Sequence, residues 1–97
     1  MILDAFTLAG KVAMVTGCDT GLGQGMAIAL AEAGCDIVGG NRKVPDETAA
    51  RVTALGRRFI AIRADLGKQE SIQSVVDTAV AEMGRIDILV NNAGTIR

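Results

Sequence analysis

Apolar residues along this chain fall into two rhythms that alternate throughout: short unbroken runs, and longer stretches at helical spacing. After a short lead-in over residues 1–10, Val12-Ala13-Met14-Val15 is the first run and predicts a strand. The stretch from Gln24 to Ala33 predicts a helix closed by Gly34. Asp36-Ile37-Val38-Gly39-Gly40 predicts a second strand, with Asn41-Arg42-Lys43-Val44-Pro45 as the loop after it. Pro45 suits the first turn of the next helix, where its missing N–H costs nothing, and Asp46 and Glu47 suit the positive end of the helix dipole. That helix runs through Ala49, Ala50, Val52 and Leu55 and stops at Gly56. Phe59-Ile60-Ala61-Ile62 predicts a third strand, followed by the loop Asp65-Leu66-Gly67. Ile72, Val75, Val76, Ala79, Val80 and Met83 then form one apolar stripe, with Gln73, Asp77 and Glu82 off it and Gly84 as the cap. Ile86-Asp87-Ile88-Leu89-Val90 predicts the fourth strand, and Asn91-Asn92-Ala93-Gly94-Thr95-Ile96-Arg97 follows.

The order is therefore β-α-β-α-β-α-β, one unit recurring at intervals that suit a βαβ crossover. Strands written as apolar runs belong to a parallel sheet covered on both faces. Right-handed crossovers leave few arrangements, and the doubly wound strand order 3-2-1-4 is the best of them. It sets the first and fourth strands side by side, with a crevice between their carboxyl ends.

Composition narrows the functional classes. At 97 residues the chain holds at most one domain. A net charge of −1 gives no basic excess for nucleic acid, and two phenylalanines without tyrosine or tryptophan give no platform for stacking bases. No apolar run reaches the length of a membrane span and no signal core opens the chain, so a cytoplasmic protein away from membranes is expected. Cys18 and Cys35 lack both C-x-x-C spacing and any histidine to share a metal, and are expected as small buried thiols.

The candidate chemistry lies in Thr16-Gly17-Cys18-Asp19-Thr20-Gly21-Leu22-Gly23, between the first strand and the first helix. The first glycine permits a sharp turn off the strand, and the later ones keep side chains away from a ligand that must approach the backbone. The helix behind them offers unpaired N–H groups and a positive dipole end, which together suit a phosphate. The general dinucleotide fingerprint is G-x-G-x-x-G, whereas the spacing here is glycine, three residues, glycine, one residue, glycine. Taken alone, that variant fits either a phosphate cradle or a turn that merely packs helix against strand. A phosphate loop of the nucleotide-hydrolase kind is excluded, because no glycine is followed by Lys-Ser or Lys-Thr.

Taken with Asn91-Asn92-Ala93-Gly94, the turn resembles the short-chain dehydrogenase/reductase family. That family carries T-G-x-x-x-G-x-G after its first strand, N-N-A-G after its fourth, and an aspartate followed by an apolar residue after its third, matched here by Asp65-Leu66. The resemblance covers the whole chain and implies the N-terminal half of a Rossmann-type doubly wound sheet, with NAD or NADP as cofactor. The Cys18-Asp19-Thr20 insert and Val52-Thr53-Ala54-Leu55-Gly56-Arg57-Arg58-Phe59 resemble members acting on sugar acids of the deoxygluconate type. This implies hydride transfer between a nicotinamide and a secondary alcohol. By that resemblance Gly17, Thr20, Gly21, Leu22 and Gly23, with Asp19, bind the pyrophosphate and adjacent ribose. Asp65 and Leu66 hold the adenine, and Asn92, Ala93 and Gly94 line the ribose side. Blander roles stand beside these: Asp65 as a turn cap, Asn91 as a tie between neighbouring backbone groups, and Arg57 and Arg58 as a solvated edge.

The family's chemistry needs a serine and a Tyr-x-x-x-Lys pair, the tyrosine as general acid/base. The chain has no tyrosine, so no catalytic residue is assigned. The expectation is a single domain truncated before its catalytic half, inactive alone, or one completed by another chain, with homo-oligomerisation through the missing part. A non-catalytic nucleotide-binding module is the rival reading. For the cofactor, an acid about 20 residues past the glycines usually reads the ribose 2′-OH of NAD, and an arginine accommodates the 2′-phosphate of NADP. The second strand ends in Asn41-Arg42-Lys43, without a carboxylate, and Asp36 lies at its far end. Asn41 and Arg42 join the cofactor-binding set, and Arg42 leans the expectation towards NADP. Thr20, where NADP users often carry a base, and the NAD association of the resembled members pull the other way.

Overall fold

The structure, a computed structural model, describes residues 8–18, 21–41, 45–63 and 69–91, of which 69–72 in backbone only. Among these described residues four strands, β1 (Val12–Thr16), β2 (Asp36–Asn41), β3 (Phe59–Arg63) and β4 (Ile88–Asn91), alternate with three helices, α1 (Gly21–Glu32), α2 (Asp46–Ala54) and α3 (Gln69–Met83). The sheet is parallel throughout and its order is β3-β2-β1-β4, as the apolar runs and crossover rule predict. Register pairs Thr16 with both Gly40 and Asn91, so β1, β2 and β4 finish level with one another.

Alternation along the strands divides the core in two. Ala13, Val15 and Ile37 meet Ala27 and Ala31 of α1 and Val52 of α2 on one face. Val12, Met14 and Val38 meet Val75 and Ala79 of α3 on the other. On α1 the buried positions are Gly23, Ala27 and Ala31, a line of small residues at a spacing of four that brings the helix close to the sheet. The central strands are buried along almost their whole length, whereas β3 and β4 alternate between half-buried and exposed. The expected two-sided cover thus holds for the centre of the sheet and not for its edges, where, among the described residues, each strand has a neighbour on one side only.

Several boundaries differ from those expected. Helix α1 starts at Gly21, because a glycine in the first turn exposes backbone that is unpaired there in any case. Pro45 stands just ahead of α2 and its carbonyl accepts from the Ala49 N–H at 2.9 Å. Strand β4 begins at Ile88, since Ile86 packs beneath α3 and Asp87 is engaged with β1. Helix α3 extends back to Gln69, and Val80 is exposed, not part of its buried stripe. Val75 and Ala79 are buried against the sheet, and Val76 and Met83, half-buried, pack against the same cluster.

Arg57 is a further correction. Its Nε donates to the Ala31 carbonyl at 2.9 Å, so it caps the end of α1 where the helix dipole is negative. Arg58 is exposed as expected, and its N–H donates to Asp36 Oδ1 at 2.9 Å, which occupies that carboxylate at the far end of β2. Among the described residues no helix is long and apolar enough to cross a membrane.

Candidate functional site

Level strand ends create the site. From Thr16 the chain continues into Gly17, whose N–H still donates to the Gly40 carbonyl at 3.0 Å and carries the β1–β2 ladder one residue into the turn. Gly17 has φ 65° and Gly21 φ 60°, values that side chains with a Cβ rarely adopt, so glycine is required at both ends of the turn. Gly21 opens α1, and a Cβ there would meet nothing within 4 Å, so the outer side of the turn is open. Leu22 beside it is 73% exposed, whereas Gly23 is buried towards the sheet. The first turn of α1 carries no acidic side chain to oppose an anion.

Beneath the turn lies a small polar network. Cys18 is fully buried; its N–H donates to Asn41 Oδ1 at 3.3 Å, and its thiol lies 3.2 Å from the same oxygen. Its carbonyl accepts from the Thr48 hydroxyl at 2.7 Å, and that hydroxyl accepts from Gln24 Nε2 at 3.0 Å. Gly39 makes room for the thiol: a Cβ there would stand 2.6 Å from Cys18 Sγ and 2.8 Å from the ring of Phe59. Both cysteines are buried thiols outside any disulfide, as expected. Burial pushes the Cys35 thiol up, with the charges of Asp87 and Asp36 adding to it, which keeps that sulfur protonated and inert.

Across the crevice, the Thr16 hydroxyl donates to Asn91 Oδ1 at 3.0 Å. Asn91, exposed at the end of β4, therefore meets a side chain of β1, where a backbone tie was expected of it. At the opposite end of the same strand pair the Val12 N–H donates to Asp87 Oδ2 at 2.9 Å. Arg85 grips the same carboxylate with two nitrogens, and these bonds hold Asp87 below the usual carboxylate range, the Arg85 contribution being the larger.

Of the residues expected to bind cofactor, the structure brings together Gly17, Gly21, Leu22 and Gly23 at the turn, with Asn41 behind it. Asn41 is 6% exposed, and its side-chain oxygen faces Cys18. Asp19, Thr20, Arg42, Asp65, Leu66, Asn92, Ala93 and Gly94 lie outside the described residues. Thr48 and Gln24 were missed from the sequence. The available signal was a hydroxyl at Thr48, one turn before the buried Val52, since a hydroxyl on a buried helix face needs a partner. Among the described residues no group of three or more histidine, cysteine, aspartate or glutamate side chains could hold a metal.

A family profile described as short chain dehydrogenase matches residues 11–97. The chain is 68% identical over its full length to a protein of Escherichia coli named 2-dehydro-3-deoxy-D-gluconate 5-dehydrogenase, and 62% identical to its namesake in Dickeya dadantii. It spans 38% of the length of each. Among solved structures, a short-chain type dehydrogenase/reductase from Mycobacterium marinum superposes with a TM-score of 0.91 at 34% identity, over 100% of this chain and 40% of that one. Carveol dehydrogenase from Mycobacterium avium in complex with NAD gives 0.81 at 33% identity, over 93% of this chain and 41% of that one. L-sorbose reductase from Gluconobacter frateurii, complexed with NADPH and L-sorbose, gives 0.84 at 35% identity over 93% and 35%.

Proposed function

The chain belongs to the short-chain dehydrogenase family, and on that premise we propose that it is the cofactor-binding part of a longer oxidoreductase. The full protein passes a hydride between NAD(P) and a secondary alcohol or ketone on a deoxygluconate-type sugar acid. The observation that carries this reading is the meeting of β1 and β4 where the strand order reverses, with the open glycine turn directly beyond Thr16. Ligands of doubly wound sheets sit in the crevice outside the strand ends at that reversal. The residues present fit a dinucleotide: the turn has no Cβ on its open side at Gly21, and no carboxylate in the first turn of α1 repels a phosphate. Identity to the two deoxygluconate dehydrogenases supports the substrate class.

On this reading Gly17, Asp19, Thr20, Gly21, Leu22 and Gly23 hold the pyrophosphate and its ribose. Asp65 and Leu66 hold the adenine, and Asn92, Ala93 and Gly94 line the crevice. The bound nicotinamide supplies the hydride chemistry, and these residues bind and orient it. The 97 residues contain no tyrosine, and on this reading the general acid/base is supplied by chain outside them; homo-oligomerisation through that same part belongs to the proposal. The test is turnover by the full-length protein with 2-dehydro-3-deoxy-D-gluconate and either nicotinamide, followed by cofactor absorbance. Turnover is expected from the full protein and none from residues 1–97 alone. Cofactor binding without turnover of any sugar acid would favour a non-catalytic nucleotide-binding module.

NADP is accepted alongside NAD in this proposal. Support comes from the end of β2, where the neutral Asn41 stands and the sequence Asn41-Arg42-Lys43 carries no carboxylate. A charge-assisted hydrogen bond is worth about 1.5–3 kcal/mol, so Arg42→Ala is expected to lower the NADP/NAD affinity ratio by about tenfold to a hundredfold. An unchanged ratio would remove Arg42 from that role.

A further inference from the structure

We infer that Thr48 is a positioning residue for the dinucleotide: from α2 it holds the Cys18 peptide so that the glycine turn keeps the shape a pyrophosphate needs. This rests on the cofactor-binding reading above. Thr48 is fully buried, and its hydroxyl donates to the Cys18 carbonyl at 2.7 Å while accepting from Gln24 Nε2 at 3.0 Å. One hydroxyl therefore joins the glycine turn, the first turn of α1 and the buried face of α2. From the other side the Cys18 N–H donates to Asn41 Oδ1 at 3.3 Å, so the residue is gripped at its amide by β2 and at its carbonyl by α2. Gly39 lies against the thiol and fixes how deep it can sit.

The carbonyl is the part that matters to an anion. Its oxygen is the negative end of a peptide dipole, and a phosphate in the turn is repelled by any carbonyl directed at it. Thr48 keeps this one turned into the protein. A side chain without a donor leaves the carbonyl buried and short of a hydrogen bond, which favours a rotated peptide that reaches water or the anion site. Valine matches threonine in shape and cannot donate; serine keeps the donor and loses a methyl group.

The experiment measures dissociation constants for NAD and NADP in the full-length protein carrying Thr48→Val, Thr48→Ser or Gln24→Met. The two cofactors share the pyrophosphate and differ at the ribose 2′ position, so Thr48→Val should weaken both by about tenfold and leave their ratio unchanged. Thr48→Ser should restore both to within about twofold of the wild type. Gln24→Met removes only the bond that aims the hydroxyl and should weaken both about threefold, which carries the test should Thr48→Val fail to fold. Wild-type affinity in Thr48→Val, or in Gln24→Met if the first variant is not folded, would overturn the inference. So would a serine variant as weak as the valine one, or a changed NADP/NAD ratio. If the unmodified protein binds neither cofactor, the functional reading falls and takes this inference with it.

Discussion

At Gly39 the absence of a side chain is set by a neighbour far away in sequence. The thiol of Cys18 lies 2.6 Å from where a Cβ would be, and Cys18 cannot retreat because Asn41 and Thr48 hold its peptide. Gly39→Ala is therefore expected to destabilise the protein by about 1–3 kcal/mol, the usual cost of overfilling a packed core. Chemical denaturation of the two forms measures it, and an alanine variant of equal stability would show that the turn can shift. Because the displaced atom belongs to the turn itself, the same variant is expected to bind cofactor more weakly. In the double variant Gly39→Ala, Cys18→Ala, which empties the thiol site, part of the stability should return.

At the scale of elements, β1 and β4 are joined at both ends by side chains as well as by the ladder. Thr16 and Asn91 meet at the crevice end, and Asp87 reaches the Val12 N–H at the other. The Arg85 guanidinium and that N–H both favour the charged form of Asp87, so its pKa is depressed in the folded state. A depressed carboxylate contributes stability that is complete above its unfolded pKa and is lost as pH falls through its folded value. Melting temperature followed downward through the carboxylate range should fall less steeply in Asp87→Asn than in the unmodified protein. Identical slopes would mean that Asp87, with its bonds to Arg85 and Val12, contributes nothing that titrates. Arg57 plays a comparable part on the opposite edge, joining the chain before β3 to the last turn of α1.

For the molecule as a whole, the edges of the sheet decide how the isolated polypeptide behaves. Among the described residues strand β4 has a neighbour only in β1, and Leu89 at its centre is 52% exposed. An apolar parallel edge offers unpaired backbone to any other chain, and a polypeptide of this size buries too little surface to offset that easily. Residues 1–97 prepared alone are expected to self-associate, and Leu89→Lys should shift them towards monomer. Sedimentation of both forms provides the check. A monodisperse monomer with a sharp, cooperative melting transition in the unmodified 97-residue chain would count decisively against this.

Much of the architecture was legible from sequence because it depends on local chemistry. Apolar runs and helical stripes mark where the chain is extended or coiled, glycines mark its turns, and right-handed crossovers then leave the order 3-2-1-4 as the best choice. The glycine turn was recognisable for the same reason, since the positive φ at Gly17 and Gly21 is a property of those residues. The inside of the turn was not legible. Whether Asn41 reaches Cys18, whether Thr48 is a surface hydroxyl or a buried clamp, and whether Arg57 is solvated or caps α1 depend on which atoms arrive from 23, 30 and 26 residues away. Val80 and Leu89 teach the same lesson in apolar residues, left exposed because no element of the described chain covers them. Periodicity states which face of an element is apolar; only the packed structure decides what meets it.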